Sequence, residues 1–538
     1  MVDQAPDSIA PRPSSEFAAA RQHIAERLAM PPTAFSTDGA TFAFEAPLSF
    51  ALPAGTFVEI HTSTGVGYFG QALEAVVVQR DGPEVSVEGD AGLGLALSTS
   101  RIAQTTFRVK LRHLEGSGVL LGKLVENGIA PTTLRDVFEN ATIRIASREA
   151  VAQYLAAQRR DRAALEIGRL LGDADTPTVA LQASGFGRHT FLCGQSGSGK
   201  TYALGVILER LLLETDLRIL IIDPNSDYVR LGELRGASPR GDGSPEAHTE
   251  RYQQAASGIR VLRPAKRGAD SPEALRFRFS SLSRENQSLV LQMDPLADRD
   301  EYDAYWSIVR HLGRDRYSLA DIQRAAGTTL STGSRDIALR IANLGVSEWD
   351  IWAEGDQPDV GDLVDDWRVL VLDVGGFEHP SEKSLVASGL LGELWGRRSQ
   401  RRPTLIVVDE AHNICPQEPD HAIQARATER AVAIAGEGRK FGLYLLLATQ
   451  RPQKIHVNVL SQCDNLVLMR MNSAEDVQHL SQTFSFISPS LMARSTTFAQ
   501  GQSLIAGKIA PTPLLAQFGA RLSHEGGSDV PDTWASSR

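Results

Sequence analysis

The chain is short of cysteine, of aromatic residues and of long apolar runs, and each shortage narrows what it can be. Its three cysteines, Cys193, Cys415 and Cys463, are scattered and not at metal-ligand spacing. That pattern argues against a disulfide scaffold or a zinc module and for reduced thiols in a cytoplasmic protein. No apolar run reaches the roughly 18 residues of a membrane span. The opening MVDQAPDSIAPRPSSEF has neither the basic start nor the apolar core of a signal peptide. Basic charge is also in short supply: 55 Lys and Arg stand against 65 Asp and Glu, a net of −10. A protein that coats nucleic acid would usually be basic. A ring that grips DNA through a few loops is not excluded, because local charge then matters more than the sum. At 538 residues the chain exceeds the roughly 250–300 that one core sustains, so more than one domain is expected.

What is present changes in texture along the chain. Residues 1–35 are an extension with one helical pattern, SSEFAAARQHIAERLAM, capped by Ser14 or Ser15. From 36 to 150, short β-rich runs such as TFAFEAPLSFAL and TTFRVKLRHL alternate with Gly and Pro turns, which predicts a small barrel or sandwich. The stretch SREAVAQYLAAQRRDRAALEIGRLLG reads as helical throughout. From 151 to 522 an α/β domain is expected: HTFLC, RILIID, RVLVLD, TLIVVDE and LYLLLATQ alternate with helices as a parallel sheet requires. A helical insertion over about 270–345 interrupts it, and 523–538 reads as a mobile tail.

HTFLC leads into Gly194-Gln195-Ser196-Gly197-Ser198-Gly199-Lys200-Thr201, and a helix beginning with Tyr202 follows. Strand, G-x-x-x-x-G-K-[ST] and helix together are the context a phosphate loop needs. The backbone N–H groups of 194–201 face the phosphates, Lys200 neutralises their β and γ oxygens, and Thr201 holds Mg²⁺. Three strands end in Asp: Asp223, Asp373 and Asp409. Only Asp409 is followed by a second acid, so Asp409 is read as the carboxylate that positions Mg²⁺ through water and Glu410 as the water-orienting base. Asp373 is read as a strand-end residue before Gly375-Gly376, and Asp223 is left between a supporting role and none. Gln450 ends the next strand, where it either senses the γ-phosphate or caps the turn before Pro452.

The pairing of GQSGSGKT with DEAH is similar to DEAH-box helicases, in which two lobes of one chain enclose the nucleotide. Beyond Gln450 only about 90 residues remain, short of the usual domain size of about 100–150. A single lobe then needs an arginine from a neighbouring subunit, which implies a ring. Arg439 and Lys440 in GEGRKFG are the candidates; the alternative is that they only complement a helix dipole.

Taken in order, GQSGSGKT, IIDPNSDY, LIVVDEAHNICP, GRKFGLYLLLATQRP and LSQCDNLVLMRMNSAED resemble the HerA-like branch of the HerA–FtsK ATPases over about residues 40–520. The resemblance implies an α/β, RecA-like P-loop ATPase core preceded by a barrel similar to the family's HAS barrel. It implies ATP and Mg²⁺, and a homohexamer that moves double-stranded DNA through its channel. It makes Gln450 the family's strand-end glutamine and Arg439 its trans-acting arginine. Where the family more often carries Gly and Glu, this chain has Ser226 and Asp227. A separate partner is also implied, NurA-like nuclease, sirtuin-like or other effector, and the barrel tier is its expected dock in DNA processing or antiphage defence. Two other readings are an ATP-regulated hexameric scaffold for an effector and an ATPase that acts on no DNA. The densest basic run, GRRSQRRP with Arg397, Arg398, Arg401 and Arg402, is expected to be a solvated face.

Overall fold

The computed structural model describes residues 31–526, apart from 91–101, 127, 132–135, 160–162, 173–174, 236–244, 266–272, 314–315, 329–330 and 364–366. The N-terminal helical pattern, most of the 236–248 loop and the last part of the tail therefore lie outside the described residues. The chain divides into two compact units, with the boundary between Ala157 and Gln158.

The first unit is built from β1 (Thr33–Ser36), β2 (Thr41–Pro47), β3 (Phe57–His61), β4 (Gly67–Asp90), β5 (Ile102–Val125), β6 (Gly128–Ala130) and β7 (Phe138–Ile145). The order β2-β1-β7-β3-β4-β5 returns to β2 by a further pairing, so the sheet closes into a barrel, with β6 appended to β5. Closure leaves those strands without open edges. Along β2 the side chains alternate, placing Phe42, Phe44 and Ala46 inside with Val58, Ile60, Tyr68 and Ile143. Burying each of these larger side chains contributes about 1.5–3 kcal/mol. Helix α1 (Arg148–Ala157) sets Tyr154 against Phe57 and Phe69, with centroids 6.0 and 5.1 Å away.

Phe42 and Phe44 lie directly opposite Gly118 and Gly116 of β5. A Cβ at Gly118 would meet the Gln71 carbonyl oxygen and the Phe42 ring, both at 2.3 Å. The flat rings occupy the space that two side chains would otherwise need. Gly118→Ala should therefore cost about 1–3 kcal/mol through overpacking. Thermal unfolding checks this, and a variant melting with the parent would contradict the close packing.

The second unit holds an 11-stranded sheet. Its members are β8 (Ala164–Leu170), β9 (Thr178–Gln182), β10 (His189–Cys193), β11 (Arg218–Asp223), β12 (Ile259–Leu262), β13 (Val369–Asp373), β14 (Thr404–Val408), β15 (Leu443–Thr449), β16 (Cys463–Leu468), β17 (Gln502–Ala506) and β18 (Leu514–Phe518). The spatial order is β12-β13-β11-β14-β15-β10-β16-β17-β18-β8-β9. From β12 to β16 every pairing is parallel, and from β16 to β9 every pairing is antiparallel. The strands β10, β13 and β14 are buried at every residue, as a parallel sheet covered on both faces requires. Helix α2 (Lys200–Glu214) follows β10, and α3 (Arg299–Leu312), α4 (Leu319–Thr328) and α5 (Thr332–Leu344) fall between β12 and β13. Helices α6 (Pro380–Gly396) and α7 (Ala422–Glu437) flank β14 in sequence.

Two expectations are corrected. The helix read across 147–172 stops at Ala157, and Ala164–Leu170 is strand β8. There Leu165 and Ile167 are buried while Glu166 is exposed, a period-2 pattern, and β9 and β18 supply its hydrogen bonds. The tail read from 523 is anchored through Gly526. Ser523 is fully buried, its N–H and hydroxyl donate to Glu209, and the Gly526 N–H donates to the Asp227 carbonyl. Two hydrogen bonds to buried Glu209 and one to the Asp227 carbonyl hold a segment whose composition alone looks mobile.

Candidate nucleotide site

The sheet order determines which side chains meet. β11, β14, β15, β10 and β16 are successive neighbours, and their carboxyl ends carry the DPNSDY loop, Asp409-Glu410, Gln450, the phosphate loop and Arg470. Ligands of open α/β sheets bind at such carboxyl ends. Within the loop, Gly197 and Gly199 have φ of 72° and 91°, a left-handed backbone that favours glycine. Gly199 precedes α2, whose N-terminus has no side-chain cap. The first N–H groups of that helix are thus left for an anion.

Lys200 is buried and its amine is held by the Asp409 carboxylate, with Glu410 Oε1 3.2 Å away. Burial opposes the ammonium charge, but Asp409 and Glu410 outweigh it and hold the amine above its ordinary value. Glu410 feels the reciprocal effect: burial pushes it up, but the Lys200 charge, the hydrogen bonds from Gln450 and Lys200 and the nearby His412 together hold it below the usual carboxylate range. Gln450 Nε2 donates to Glu410 Oε1 at 2.9 Å. The other oxygen, Oε2, is buried and has no hydrogen-bond partner. Glu410 also has φ of 43°, a rare conformation for a non-glycine residue. Such outliers persist where the surroundings over-determine them, often at functional sites.

The DPNSDY loop folds around Asp223, whose carboxylate accepts from the N–H groups of Asn225, Asp227 and Tyr228. Burial nevertheless pushes Asp223 up to about 7. Asp227, not Asp223, approaches the phosphate-loop side: the Thr201 hydroxyl donates to Asp227 Oδ2 at 3.4 Å. Burial, then the Asp409 charge, push Asp227 up to about 6. Crowded carboxylates beside one lysine and one threonine hydroxyl form a donor set that suits a hard divalent cation. Asp373 instead accepts from the Ser226 hydroxyl at 2.8 Å and the Gly375 N–H at 3.2 Å.

Three residues at this edge escape sequence reading. The Tyr228 hydroxyl donates to Asp409 Oδ2 at 3.4 Å. His412 Nδ1 lies 3.0 Å from Thr449 Oγ1 and 3.4 Å from Glu410 Oε2, with burial holding its pKa down. Arg470 accepts the Gln195 N–H on its carbonyl, and its Nη2 lies 3.4 Å from where a Cβ on Gly197 would stand. Its buried Nε has no partner. The available signal is position: Arg470 closely follows a strand beside the phosphate-loop strand.

Arg439 is not part of this cluster. It lies in the 3-10 turn Gly438–Phe441 before β15, and its Nη1 is 3.3 Å from Asp464 Oδ2 near the start of β16. Arg188, just before β10, is 3.4 Å from the same oxygen. Arg439 thus sits at the amino ends of the central strands, the opposite edge from Lys200.

Residues 165–337 match the family model described as the central domain of helicase HerA. The DNA double-strand break repair helicase HerA of Sulfurisphaera tokodaii is 22% identical over 76% of this chain and 77% of that protein. HerA of Sulfolobus acidocaldarius is 20% identical over 84% of this chain and 90% of its own length. Among solved structures, VirB4 of Thermoanaerobacter pseudethanolicus aligns with a TM-score of 0.46 at 16% identity, covering 67% of this chain and 97% of that one.

Proposed function

We propose, from the premise that this chain is a HerA-like P-loop ATPase, that it hydrolyses ATP to drive movement along duplex DNA. One observation carries the reading of the chemistry: Lys200, Asp409, Glu410 and Gln450 form a single connected group at the end of the phosphate-loop helix. Residues 194–202 hold the triphosphate. Thr201 directly, and Asp409 through water, would hold Mg²⁺, which when bound neutralises charge on the β and γ oxygens. In nucleotide's presence Lys200 exchanges its carboxylate partners for phosphate oxygens, which frees Glu410 to orient water. Gln450, bonded to that same carboxylate, is placed to report the change to β15 and the segments beyond it. Asp227, beside Thr201, stands where a second carboxylate can orient the water shell of the ion.

DNA as the substrate rests on the HerA relatives, whose names describe break-repair helicases. Six copies in a ring would bring Arg439 of one copy, which lies at the edge of the sheet away from its own phosphate loop, to the nucleotide of the next. The closed barrel carries none of the residues assigned here to the nucleotide, which favours it as the dock for a separate nuclease or other effector, in DNA processing or antiphage defence. Duplex DNA should raise ATP turnover, increasingly with duplex length and decreasingly with salt. Turnover indifferent to duplex DNA at low salt would remove the motor reading and leave an ATP-controlled scaffold.

A further inference from the structure

Strand β10 leads into the phosphate loop and has a neighbour on each side. Its last residue, Cys193, faces Thr449 of β15 and Leu468 of β16. The two neighbours bring different chemistry to the loop. On the β15 side Gln450 follows Thr449, and Asp409-Glu410 come from β14, one strand further out. On the β16 side the chain runs on from Leu468 through Met469 to Arg470. One flank of the loop therefore carries acids and an amide, and the other carries a guanidinium.

The main chain that launches Arg470 is fixed at three successive residues. The Met469 N–H donates to the Cys193 carbonyl at 2.8 Å, and the Arg470 carbonyl accepts from the Gln195 N–H at 3.0 Å. The Met471 N–H then donates to the Ser495 carbonyl at 3.1 Å. A Cβ on Gly194 would meet the Met469 Cβ at 2.7 Å, so the loop and this segment approach as only glycine permits. The Arg470 side chain, by contrast, is uncommitted. Its Nη2 lies 3.4 Å from where a Cβ on Gly197 would stand. Its Nε is buried without a hydrogen-bond partner, and among the described residues no carboxylate pairs with it.

Buried polar groups are nearly always bonded, and an exception beside a binding loop calls for a partner. A guanidinium has five N–H donors and no acceptor, so the partner it suits is an anion. Lys200 is already held by Asp409 and Glu410, so an entering triphosphate needs further positive charge. We propose that Arg470 is a binding residue for the triphosphate, donating to its phosphate oxygens from the β16 flank. This rests on the reading of the site as that of an ATPase, and adds to it a cation from the same copy. Arg470 differs in this from Arg439, which meets Asp464 at the other edge of the sheet. Because Arg470 stands at the loop without a neighbouring copy, its contribution is to binding, and that of Arg439 is to turnover.

The test compares Arg470→Gln and Arg470→Lys with the parent, all as the full chain. Equilibrium binding of ATP with Mg²⁺ is measured beside thermal stabilisation by pyrophosphate, which carries linked phosphates without the nucleoside. Arg470→Gln should melt with the parent when no ligand is present. It should bind ATP about 10- to 100-fold more weakly, the range for a hydrogen bond to a charged group, and gain less stability from pyrophosphate. KM should rise by the same factor while kcat falls less than about threefold, as when ground and transition states lose equal binding. Arg470→Lys should recover most of the affinity. Parental binding of ATP and pyrophosphate by Arg470→Gln would overturn the contact. Equal losses in the Gln and Lys variants, or a variant that already melts lower without ligand and regains nothing with Lys, would also overturn it, since packing and not charge would then be at fault. A parent that binds neither ligand, or whose ATP binding survives Lys200→Ala, removes the ATPase reading and this assignment with it.

Discussion

Glu410→Gln should reduce ATP turnover by about 10²–10⁴-fold while leaving ATP and Mg²⁺ binding close to the parent's, since a positioned base contributes in that range. The substitution keeps the shape and the capacity to accept from Gln450 Nε2, 2.9 Å away. It removes the negative charge that now answers the Lys200 ammonium at 3.2 Å and the basic oxygen that would take a proton from water. Lys200→Ala should fail differently. Its buried amine is the charge nearest both Asp409 and Glu410, so its loss weakens retention of the triphosphate itself and leaves buried carboxylates without a cation. Single-turnover hydrolysis beside equilibrium binding separates the two. Near-parental turnover in Glu410→Gln would move the base elsewhere, and Asp227, beside the Thr201 hydroxyl, would be the next carboxylate to substitute.

The geometry at this edge is only partly visible in the residues. The phosphate loop and the strand that ends in Asp409-Glu410 are legible because both obey local rules: an apolar run, then a fixed order of glycines or acids. Which strand lies beside which is not local. The order β11-β14-β15-β10-β16 brings Tyr228 onto Asp409 and Arg470 onto the phosphate loop across hundreds of residues, and no periodicity encodes that. Strand β8 is hidden for a related reason. ALEIGRL contains enough helix formers to continue the preceding helix, and its burial by β9 and β18 reverses that preference. The polarity of segment 519–526 suggests solvent. Yet Arg521 is buried against Glu209 at 3.6 Å, and the N–H groups of Leu522 and Ser523 donate to that same carboxylate, far away in sequence.

Arg439→Ala should bind nucleotide normally and still lose about 10³-fold or more in turnover, the effect of an arginine supplied from outside the lobe. Its position argues for that origin. Arg439 meets Asp464 near the start of β16, whereas the phosphate loop leaves the far end of the neighbouring strand β10. Five residues of strand, from His189 to Cys193, separate the two edges by about 16 Å at ~3.3 Å per residue. No rotamer of a half-exposed arginine spans that distance and turns the sheet edge, so Arg439 can act on phosphates only if they belong to another copy. Mixing Arg439→Ala chains with Lys200→Ala chains then makes a sharp demand. Neither pure population hydrolyses, but in mixed rings some boundaries join an intact phosphate loop to an intact arginine, and part of the activity returns. The tie to Asp464 adds a control: Asp464→Asn, which loosens Arg439 and Arg188 without removing either, should retain nucleotide binding and much of the turnover. Mixed rings verified by mass that stay inactive would contradict action across the boundary. Lys440, the adjacent cation on the same turn, would then be exchanged for Ala in the same mixing experiment.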